Sequence, residues 1–426
     1  MTALDERATE IHRLLAAEDF RYQRITFDDG IATEGNDRAG TADVIFPDSL
    51  AGKSVLDVGC NYGYFCFEAV QRAATRVLGL DFDPDAIRKA RKIGAIKGAE
   101  AQFRLFDADR DEIDEKFDYV LCLNLLHHLR NPIATLDRLI ASTRDTLVIE
   151  APMISRRNAK KISNQAKSAT WRLLPKLLVR LILSRAAVIA LGTGRKYFEA
   201  SFFFTPEALR CLLEQRGFFR SIRLRPSPYT DRFICVAEKI EIDELVMISG
   251  LPCAGKSTLI EAIVEGKHAA LERELSSNPT AEWQVADANK LATLLSNLAP
   301  KVLFHYSIMR PWLNGPNNYR LDYSLNILDC AKKLRTVTLL TAQSDLLARW
   351  QQREIEPRTR NGKYRGRRRK LKVLKAFETP EMVAHLYDNW FDHLAKLPGS
   401  HSILDTRQLP YRLQPLEAWR DLRATF

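Results

Sequence analysis

Residues 54–85 constrain the fold of this chain more than any other segment. Residues 55–58 have the composition of a short buried strand, residues 59–63 form a glycine-containing turn, and residues 65–74 have the apolar spacing of a helix. A second apolar strand ends at Asp81. Such a turn lets the backbone approach a ligand, and an acid after the next strand can bind both hydroxyls of a ribose. The segment therefore predicts a nucleoside-cofactor site.

Residues 55–65, VLDVGCNYGYF, resemble motif I of the class I S-adenosylmethionine-dependent methyltransferases, whose usual form is hh(D/E)hGxGxG. Asp57 is the acid of the motif, and Gly59 and Gly63 are its outer glycines. Asn61 stands where the family has the middle glycine. Asparagine tolerates a left-handed backbone better than other non-glycine residues, so the turn is expected to form.

Further matches to the family follow in order along the chain. Asp107 lies where the family places an acid near the adenine amino group, and Asn124 lies on the fourth strand. The resemblance covers residues 20–240 and is strongest to the group that includes the bacterial tRNA wobble-uridine carboxymethyl transferase. It implies S-adenosylmethionine as cofactor, but it does not identify the substrate. The residues that it implies for cofactor binding are Asp57, Gly59, Asn61, Gly63, Asp81, Asp107 and Asn124.

Strands and helices alternate from residue 53 onward, which predicts a parallel sheet with helices on both faces. The two strands near 220–224 and 232–237 are separated only by turn residues, so they are expected to pair as an antiparallel hairpin. We expect a helical cap over residues 1–40 and a Rossmann-like methyltransferase domain over residues 41–240. His127 follows the fourth strand, where it is either a catalytic base or a structural histidine.

A basic insertion at residues 151–200 interrupts the first domain and is predicted to be helical. Its apolar stretch, residues 177–191, is interrupted by two arginines and is shorter than the ~20 residues that span a bilayer, so no transmembrane segment is expected. The favoured interpretation is a helical lid that packs on the domain. The alternative is an amphipathic helix in peripheral contact with an anionic membrane surface.

A second domain is predicted over residues 245–426 by a different motif. Residues 250–257, GLPCAGKS, match the Walker A pattern GxxxxGK(S/T) and stand between an apolar strand and a helix. In such a loop, backbone amides and a lysine hold the phosphates of ATP or GTP, and the serine hydroxyl binds Mg²⁺. The predicted nucleotide-binding residues are Gly250, Gly255, Lys256, Ser257 and Thr258, with Ser257 as the metal ligand.

The rest of this domain resembles a small P-loop kinase. Asp287 follows the second strand and is interpreted either as the group that orients a phosphate acceptor or as a helix cap. The third strand ends at His305 and Tyr306, where a Walker B strand usually carries an acid, so the sequence supports nucleotide binding more strongly than phosphoryl transfer. Residues 358–375 are strongly basic and are interpreted as an arginine-bearing lid, an RNA contact or a solvated face.

Composition limits the remaining alternatives. A chain of 426 residues is long enough for two cores, and its net charge of +11 suggests an anionic substrate such as RNA or a phosphorylated or lipid-linked precursor. Seven cysteines without a CxxC pair predict reduced thiols and no structural metal. No apolar stretch near the amino terminus resembles a signal peptide, so a cytoplasmic location is expected.

The sequence thus favours a bifunctional methyltransferase and kinase acting on related substrates. The first alternative is an RNA-modifying methyltransferase with a nucleotide-gated regulatory module. The second is an enzyme that acts on envelope glycans or lipid-linked precursors.

Overall fold

The computed structural model describes residues 3–27, 30–154, 186–191, 202–278, 281–287, 300–309, 319, 322–355, 373–407 and 411–424. The chain folds into two compact units, residues 1–240 and 241–426. The first unit ends at residue 240, which is also the end given above for the predicted methyltransferase domain.

The first unit is built on a seven-stranded sheet with the order β3-β2-β1-β4-β5-β9-β8. The strands of the sheet are β1 (Ser54–Val58), β2 (Arg76–Asp81), β3 (Ala101–Leu105), β4 (Phe117–Leu123), β5 (Thr143–Pro152), β8 (Phe219–Pro226) and β9 (Arg232–Lys239). All neighbours from β3 to β5 are parallel, whereas β9 is antiparallel to both β5 and β8. The predicted closing hairpin is thereby confirmed.

Helices cover both faces of this sheet because its strands are apolar on both sides. In β5, Val148 packs into one buried cluster, whereas Leu147 and Ile149 pack into the other. The helices of the unit are α1 (Ala3–Ala17), α2 (Ala39–Ile45), α3 (Tyr64–Gln71), α4 (Pro84–Lys97), α5 (Pro132–Ser142) and α6 (Pro206–Arg216). This is an α/β Rossmann-like fold, as predicted.

The cap predicted over residues 1–40 contains α1 and the segment that joins it to α2. This segment is tied to the sheet by Gln23, whose side chain is buried. The Gln23 amide donates to the Cys60 carbonyl at 3.5 Å, and its Oε1 accepts from the Tyr64 amide at 3.3 Å. The cap segment therefore contacts both ends of the glycine turn.

The insertion differs from its predicted helical form where the structure describes it. Residues 189–191 form strand β6 (Ile189–Leu191), which pairs antiparallel with β7 (Phe202–Phe204). The apolar spacing of a segment does not reveal hydrogen bonds to a distant partner strand. Residues 189–191 form such bonds with β7, so they are a strand although their local pattern predicts a helix. Residues 155–185, which carry the lid and membrane-surface alternatives, lie outside the described residues. Within the described segments, no helix has the length and apolarity needed to cross a bilayer.

The second unit has a six-stranded sheet with the order β11-β12-β10-β13-β14-β15. Its strands are β10 (Ile242–Gly250), β11 (Trp283–Asp287), β12 (Lys301–Ser307), β13 (Ala331–Leu340), β14 (Ser400–Asp405) and β15 (Leu413–Pro415). The first five strands are parallel, and β15 is an antiparallel edge strand that the sequence did not predict. The described helices are α7 (Lys256–Val264), α8 (Ala269–Leu275), α9 (Gln343–Ile355), α10 (Pro380–Leu394) and α11 (Trp419–Ala424).

In each sheet, the chain first adds strands on one side of a central strand and then adds strands on its other side. In the first unit β1 lies between β2 and β4, and in the second β10 lies between β12 and β13. Open parallel sheets bind ligands beyond the carboxyl ends of the strands at such points. The two glycine turns predicted from sequence follow these two strands.

Candidate functional site

The turn after β1 has the backbone geometry that its sequence predicts. Gly59, Asn61 and Gly63 have φ values of 84°, 50° and 87°, all in the left-handed region. A Cβ added at Gly63 would lie 2.7 Å from the Phe103 ring, so this position has no room for a side chain. The amides of Gly59 and Cys60 both donate to the Leu80 carbonyl, at 2.7 and 3.0 Å. The turn is thereby fixed to the end of β2.

Asp81 is joined directly to this turn. Its Oδ2 accepts from the Asn61 amide at 2.8 Å, and its Oδ1 accepts from the Asp83 amide at 3.0 Å. The side chain is largely buried, and burial raises its pKa although these backbone bonds oppose the shift. Each carboxylate oxygen retains a lone pair for a further donor. The structure therefore brings together the predicted glycine turn and the predicted ribose acid.

Asp57 lies beneath the turn instead of on its surface, since only 1% of the residue is exposed. Burial, followed by the nearby charge of Asp81, raises the pKa of Asp57 to about 7. The Cys66 thiol lies 3.9 Å from its Oδ2. Asp57 does not reach the surface of the site, so its effect on a bound cofactor is limited to its charge and its support of the backbone.

Asp107 is half-buried in the loop after β3. Its Oδ1 accepts from the Asp109 amide at 2.9 Å, and its own amide donates to Asp111. Two apolar residues at this edge were not predicted as site residues: Phe82 is 43% exposed, and Leu105, which pairs in register with Asp81, is 60% exposed. The signal in the sequence was an aromatic residue directly after the acid of β2.

Asn124 directly follows β4, the neighbour of β1, and has a φ of 60°. Its side-chain nitrogen donates to the Glu150 carboxylate, and its amide donates to the Glu150 carbonyl at 2.9 Å. Its Oδ1 is buried and has no hydrogen-bond partner within the described parts of the chain. The adjacent Leu125 side chain lies 3.2 Å from the position that a Cβ on Gly59 would occupy. Asn124 therefore lies beside the cofactor turn.

Glu150 and Arg38 were missed by sequence reasoning. Arg38 belongs to the cap segment before α2, yet its guanidinium lies 2.5 Å from the buried Glu150 carboxylate on β5. Its Cζ lies 4.4 Å from the centre of the Tyr229 ring and 5.4 Å from that of Phe65. Contacts over more than a hundred positions of sequence leave no local pattern, so only the folded chain reveals them.

His127 lies in a short 3-10 helix, Leu126–His128, and only 5% of it is exposed. Its ring centre lies 4.0 Å from that of His128. This environment does not decide between a base and a structural histidine, and the catalytic role stays a prediction.

The loop after β10 joins a central strand to helix α7. Cys253 and Gly255 have φ values of 66° and 96°. The Lys256 ammonium is buried and donates to the carbonyls of Gly250 at 3.0 Å and Leu251 at 2.7 Å. Ser257 and Thr258, the next residues of α7, are exposed. The predicted nucleotide-binding residues thus surround one loop at the carboxyl edge of the sheet.

A cavity of about 960 Å³ opens beside this loop. Its lining includes Gly255 and Thr258 from the loop and α7, Arg349 from α9, and Thr406 and Tyr411 from the opposite side. The Arg349 guanidinium donates to the Cys253 carbonyl at 3.2 Å, which places a cation at the loop. Such a concave site of mixed polarity suits a small anionic ligand.

The second unit has an acid at only one of the two strand ends considered in the sequence analysis, β11 and β12. Asp287 is the last residue of β11 and is half-buried, whereas residues 288–299, which include the helix that Asp287 is predicted to cap, lie outside the described residues. At the end of β12, Tyr306 is fully buried, stacks on Trp390 and donates to Asp322 at 3.1 Å. This strand therefore presents an aromatic side chain where a Walker B acid would stand.

Comparison with known proteins gives a family match within the first unit. Residues 38–219 match the family model of a methyltransferase domain. A tRNA U34 carboxymethyltransferase from Nautilia profundicola is 33% identical over 112 residues, which cover 24% of this chain and 37% of that protein. A ubiquinone biosynthesis O-methyltransferase from Pseudomonas entomophila is 38% identical over 86 residues, which cover 20% of this chain and 37% of that protein.

Among solved structures, the N-terminal domain of EvdMO1 in the presence of SAH and D-fucose has a TM-score of 0.39 and 19% identity, and covers 55% of this chain and 97% of that domain. This chain spans well under two thirds of the length of the curated relatives it matches, with 37% for both relatives named above. The family match ends at residue 219 and does not extend to the second unit. Residues 38–219 are therefore similar to a methyltransferase domain, and they contribute to the sheet of the first unit, whose strand order is Rossmann-like.

Proposed function

We propose that the first unit transfers a methyl group from S-adenosylmethionine. The observation that carries this proposal is the hydrogen bond from the Asn61 backbone N–H to the Asp81 carboxylate. It joins an acid to a glycine turn beyond the carboxyl ends of the central strands, where open parallel sheets bind ligands. The residues suit the cofactor on three further counts. The turn has a left-handed backbone at Gly59 and Gly63, Phe82 offers an exposed ring beside the acid, and Asn124 Oδ1 is a buried acceptor that still lacks a donor among the described residues.

When bound, the cofactor supplies an electrophilic methyl group on a sulfonium. Asp81 would bind the ribose hydroxyls, Asp107 would bind the amino group of the base, and the turn at residues 59–63 would hold the backbone close to the ligand. The protein accelerates an in-line displacement mainly by holding the acceptor atom against the methyl carbon. If the acceptor is a hydroxyl, its proton passes to a base, for which His127 is our candidate.

Calorimetric titration with S-adenosylhomocysteine tests this cofactor site. Asp81→Ala leaves two ligand hydroxyls without an acceptor, which should weaken binding by about 1–3 kcal/mol. Asp85→Ala is the matched control, because Asp85 lies four residues away and pairs with Arg88 and Lys89 instead of the turn. Equal affinity of Asp81→Ala and wild type would contradict the assignment.

We further propose that the second unit binds ATP or GTP with Mg²⁺ and transfers the terminal phosphate. The left-handed backbone at Cys253 and Gly255, the adjacent Lys256 and the cavity beside them support phosphate binding. The role of Lys256 is to exchange its present carbonyl partners for phosphate oxygens, and Ser257 Oγ is the candidate metal ligand. Because β12 provides no acid, Mg²⁺ would depend on Ser257, the nucleotide and Asp287.

Two substitutions separate binding from transfer. Lys256→Ala should abolish nucleotide turnover and leave S-adenosylhomocysteine affinity unchanged. Asp287→Asn should keep nucleotide affinity and lose transfer if Asp287 orients the acceptor, because asparagine caps a helix as well as aspartate does. Nucleotide binding by the wild type without transfer to water or any acceptor would favour the regulatory-module alternative.

For the methyl acceptor, an RNA is favoured by the tRNA-modifying relatives and by the basic residues 358–375, of which 358–372 lie outside the described residues. RNA affinity should then fall steeply with salt, and substitution of Arg367, Arg368 and Arg369 should flatten that slope. Absence of RNA binding at low salt would remove this acceptor class. Methyl transfer to a glycan or lipid-linked precursor by the intact protein would then support the envelope alternative.

A further inference from the structure

Glu150 is a fully buried carboxylate that receives hydrogen bonds from three separate parts of the first unit. Its Oε2 accepts from Arg38 Nη2 and from Asn124 Nδ2, and its Oε1 accepts from Ser227 Oγ. Burying a charge without hydrogen-bond partners strongly destabilises the folded state. The three donors offset this cost for Glu150, which lies near the end of β5. The two oxygens serve different partners, which makes their effects separable.

The carboxylate also decides which atom of the Asn124 amide faces it. An ionised carboxylate only accepts hydrogen bonds, so the Asn124 nitrogen must point toward Glu150 and the oxygen must point away. The backbone N–H of Asn124 also donates to the backbone carbonyl of Glu150, at 2.9 Å. This second bond holds the backbones of the two residues side by side. Asn124 Oδ1 is consequently presented as a buried acceptor, and it has no partner in the described segments.

An acceptor kept buried and unpaired is costly unless a ligand completes it. Asn124 follows the strand beside β1, and its neighbour Leu125 packs against Gly59, so the acceptor belongs to the cofactor edge of the sheet. We propose that Glu150 is a positioning residue, which orients Asn124 so that Oδ1 accepts a hydrogen bond from the ammonium of the bound sulfonium cofactor. This inference rests on the proposed methyl-donor site.

A double-mutant cycle measures whether Glu150 acts through Asn124. Glu150→Ala removes the acceptor that holds the Asn124 side-chain nitrogen, and Asn124→Gly removes the Oδ1 acceptor while keeping a residue that tolerates a φ of 60°. Each single variant should bind S-adenosylhomocysteine about tenfold more weakly, and the double variant should bind no more weakly than Asn124→Gly alone. A loss of about a hundredfold in the double variant, or unchanged affinity in Glu150→Ala, would overturn the proposal.

Ser227→Ala is the matched control, because it removes the donor to Oε1 and leaves the Oε2 side intact. Its S-adenosylhomocysteine affinity should equal that of the wild type. A loss equal to that of Glu150→Ala would mean that burial of the carboxylate matters and the orientation of Asn124 does not. Thermal unfolding of each variant gives the folded fraction.

A rescue experiment remains informative even if Glu150→Ala folds poorly. Asn124→Asp places two acceptors face to face and should lose affinity. Combining it with Glu150→Gln restores a donor opposite an acceptor, so the pair should bind S-adenosylhomocysteine more tightly than Asn124→Asp alone. No gain in the pair would count against the proposal. Failure of the wild type to bind S-adenosylhomocysteine would instead contradict the proposed function itself.

Discussion

Asn61 stands where the motif usually has its middle glycine, and the turn still adopts its left-handed backbone there. Its φ of 50° costs a β-branched residue about 1–2 kcal/mol, whereas asparagine and glycine reach it more easily. We expect Asn61→Val to lower stability and S-adenosylhomocysteine affinity relative to Asn61→Gly. Both variants lose the Oδ1 bond to the Tyr62 amide, so their difference, measured by denaturation and calorimetry, isolates the backbone conformation. Equal behaviour of the two would show that φ is not limiting.

A single buried carboxyl, Asp57, predicts a pH dependence of stability. Its folded pKa of about 7 lies above the usual unfolded value of about 3.9, so the folded state binds more protons between these limits. The contribution of Asp57 to the free energy of unfolding is therefore greatest below about pH 4. This contribution is lost as the pH rises toward 7. For one proton the slope reaches about 1.4 kcal/mol per pH unit.

Asp57→Asn should reduce this slope, as measured by urea unfolding at several values of pH between about 4.5 and 7.5. Asp85→Asn is the control, because ion pairs with Lys89 and Arg88 lower the pKa of Asp85 and give the opposite sign. Residual slope in Asp57→Asn is expected from Asp81, whose pKa is also raised. Identical slopes in wild type and Asp57→Asn would contradict the prediction.

At the scale of elements, Thr205 connects helix α6 to the β6–β7 ribbon. Its hydroxyl accepts from the Ala208 amide at 3.2 Å and the Val188 amide at 3.0 Å, and donates to the Ala186 carbonyl at 2.7 Å. Thr205→Ala leaves these buried groups unpaired and should destabilise the protein by about 1–3 kcal/mol. Thr205→Ser retains the hydroxyl and should lose much less. Similar melting temperatures for the two variants would contradict a capping role.

At the scale of the whole molecule, the chain forms two compact units with separate sheets and separate candidate sites. A ligand that binds one folded unit stabilises that unit by mass action. Calorimetric scanning should therefore show that S-adenosylhomocysteine raises one unfolding transition and that Mg-ATP raises the other. Asp81→Ala should remove only the first shift, and Lys256→Ala only the second. A single transition raised by either ligand would show that the units unfold together.

The sequence by itself determined most strands of the two sheets, the two glycine turns and the acid at the end of β2. These features depend on short-range causes, since residue spacing decides which faces are apolar and a left-handed turn needs glycine or asparagine. Asp81 was therefore predictable beside Asn61 because both follow neighbouring parallel strands, whose carboxyl ends meet at one edge.

Only the tertiary structure decided the partners of buried polar groups and the form of the insertion. Arg38, Asn124 and Ser227 meet at Glu150 from distant parts of the chain, and residues 189–191 became a strand because residues 202–204 pair with them. Such contacts depend on the packing of the whole unit, because the cost of burying a charge can be offset by donors from any segment that folding brings near.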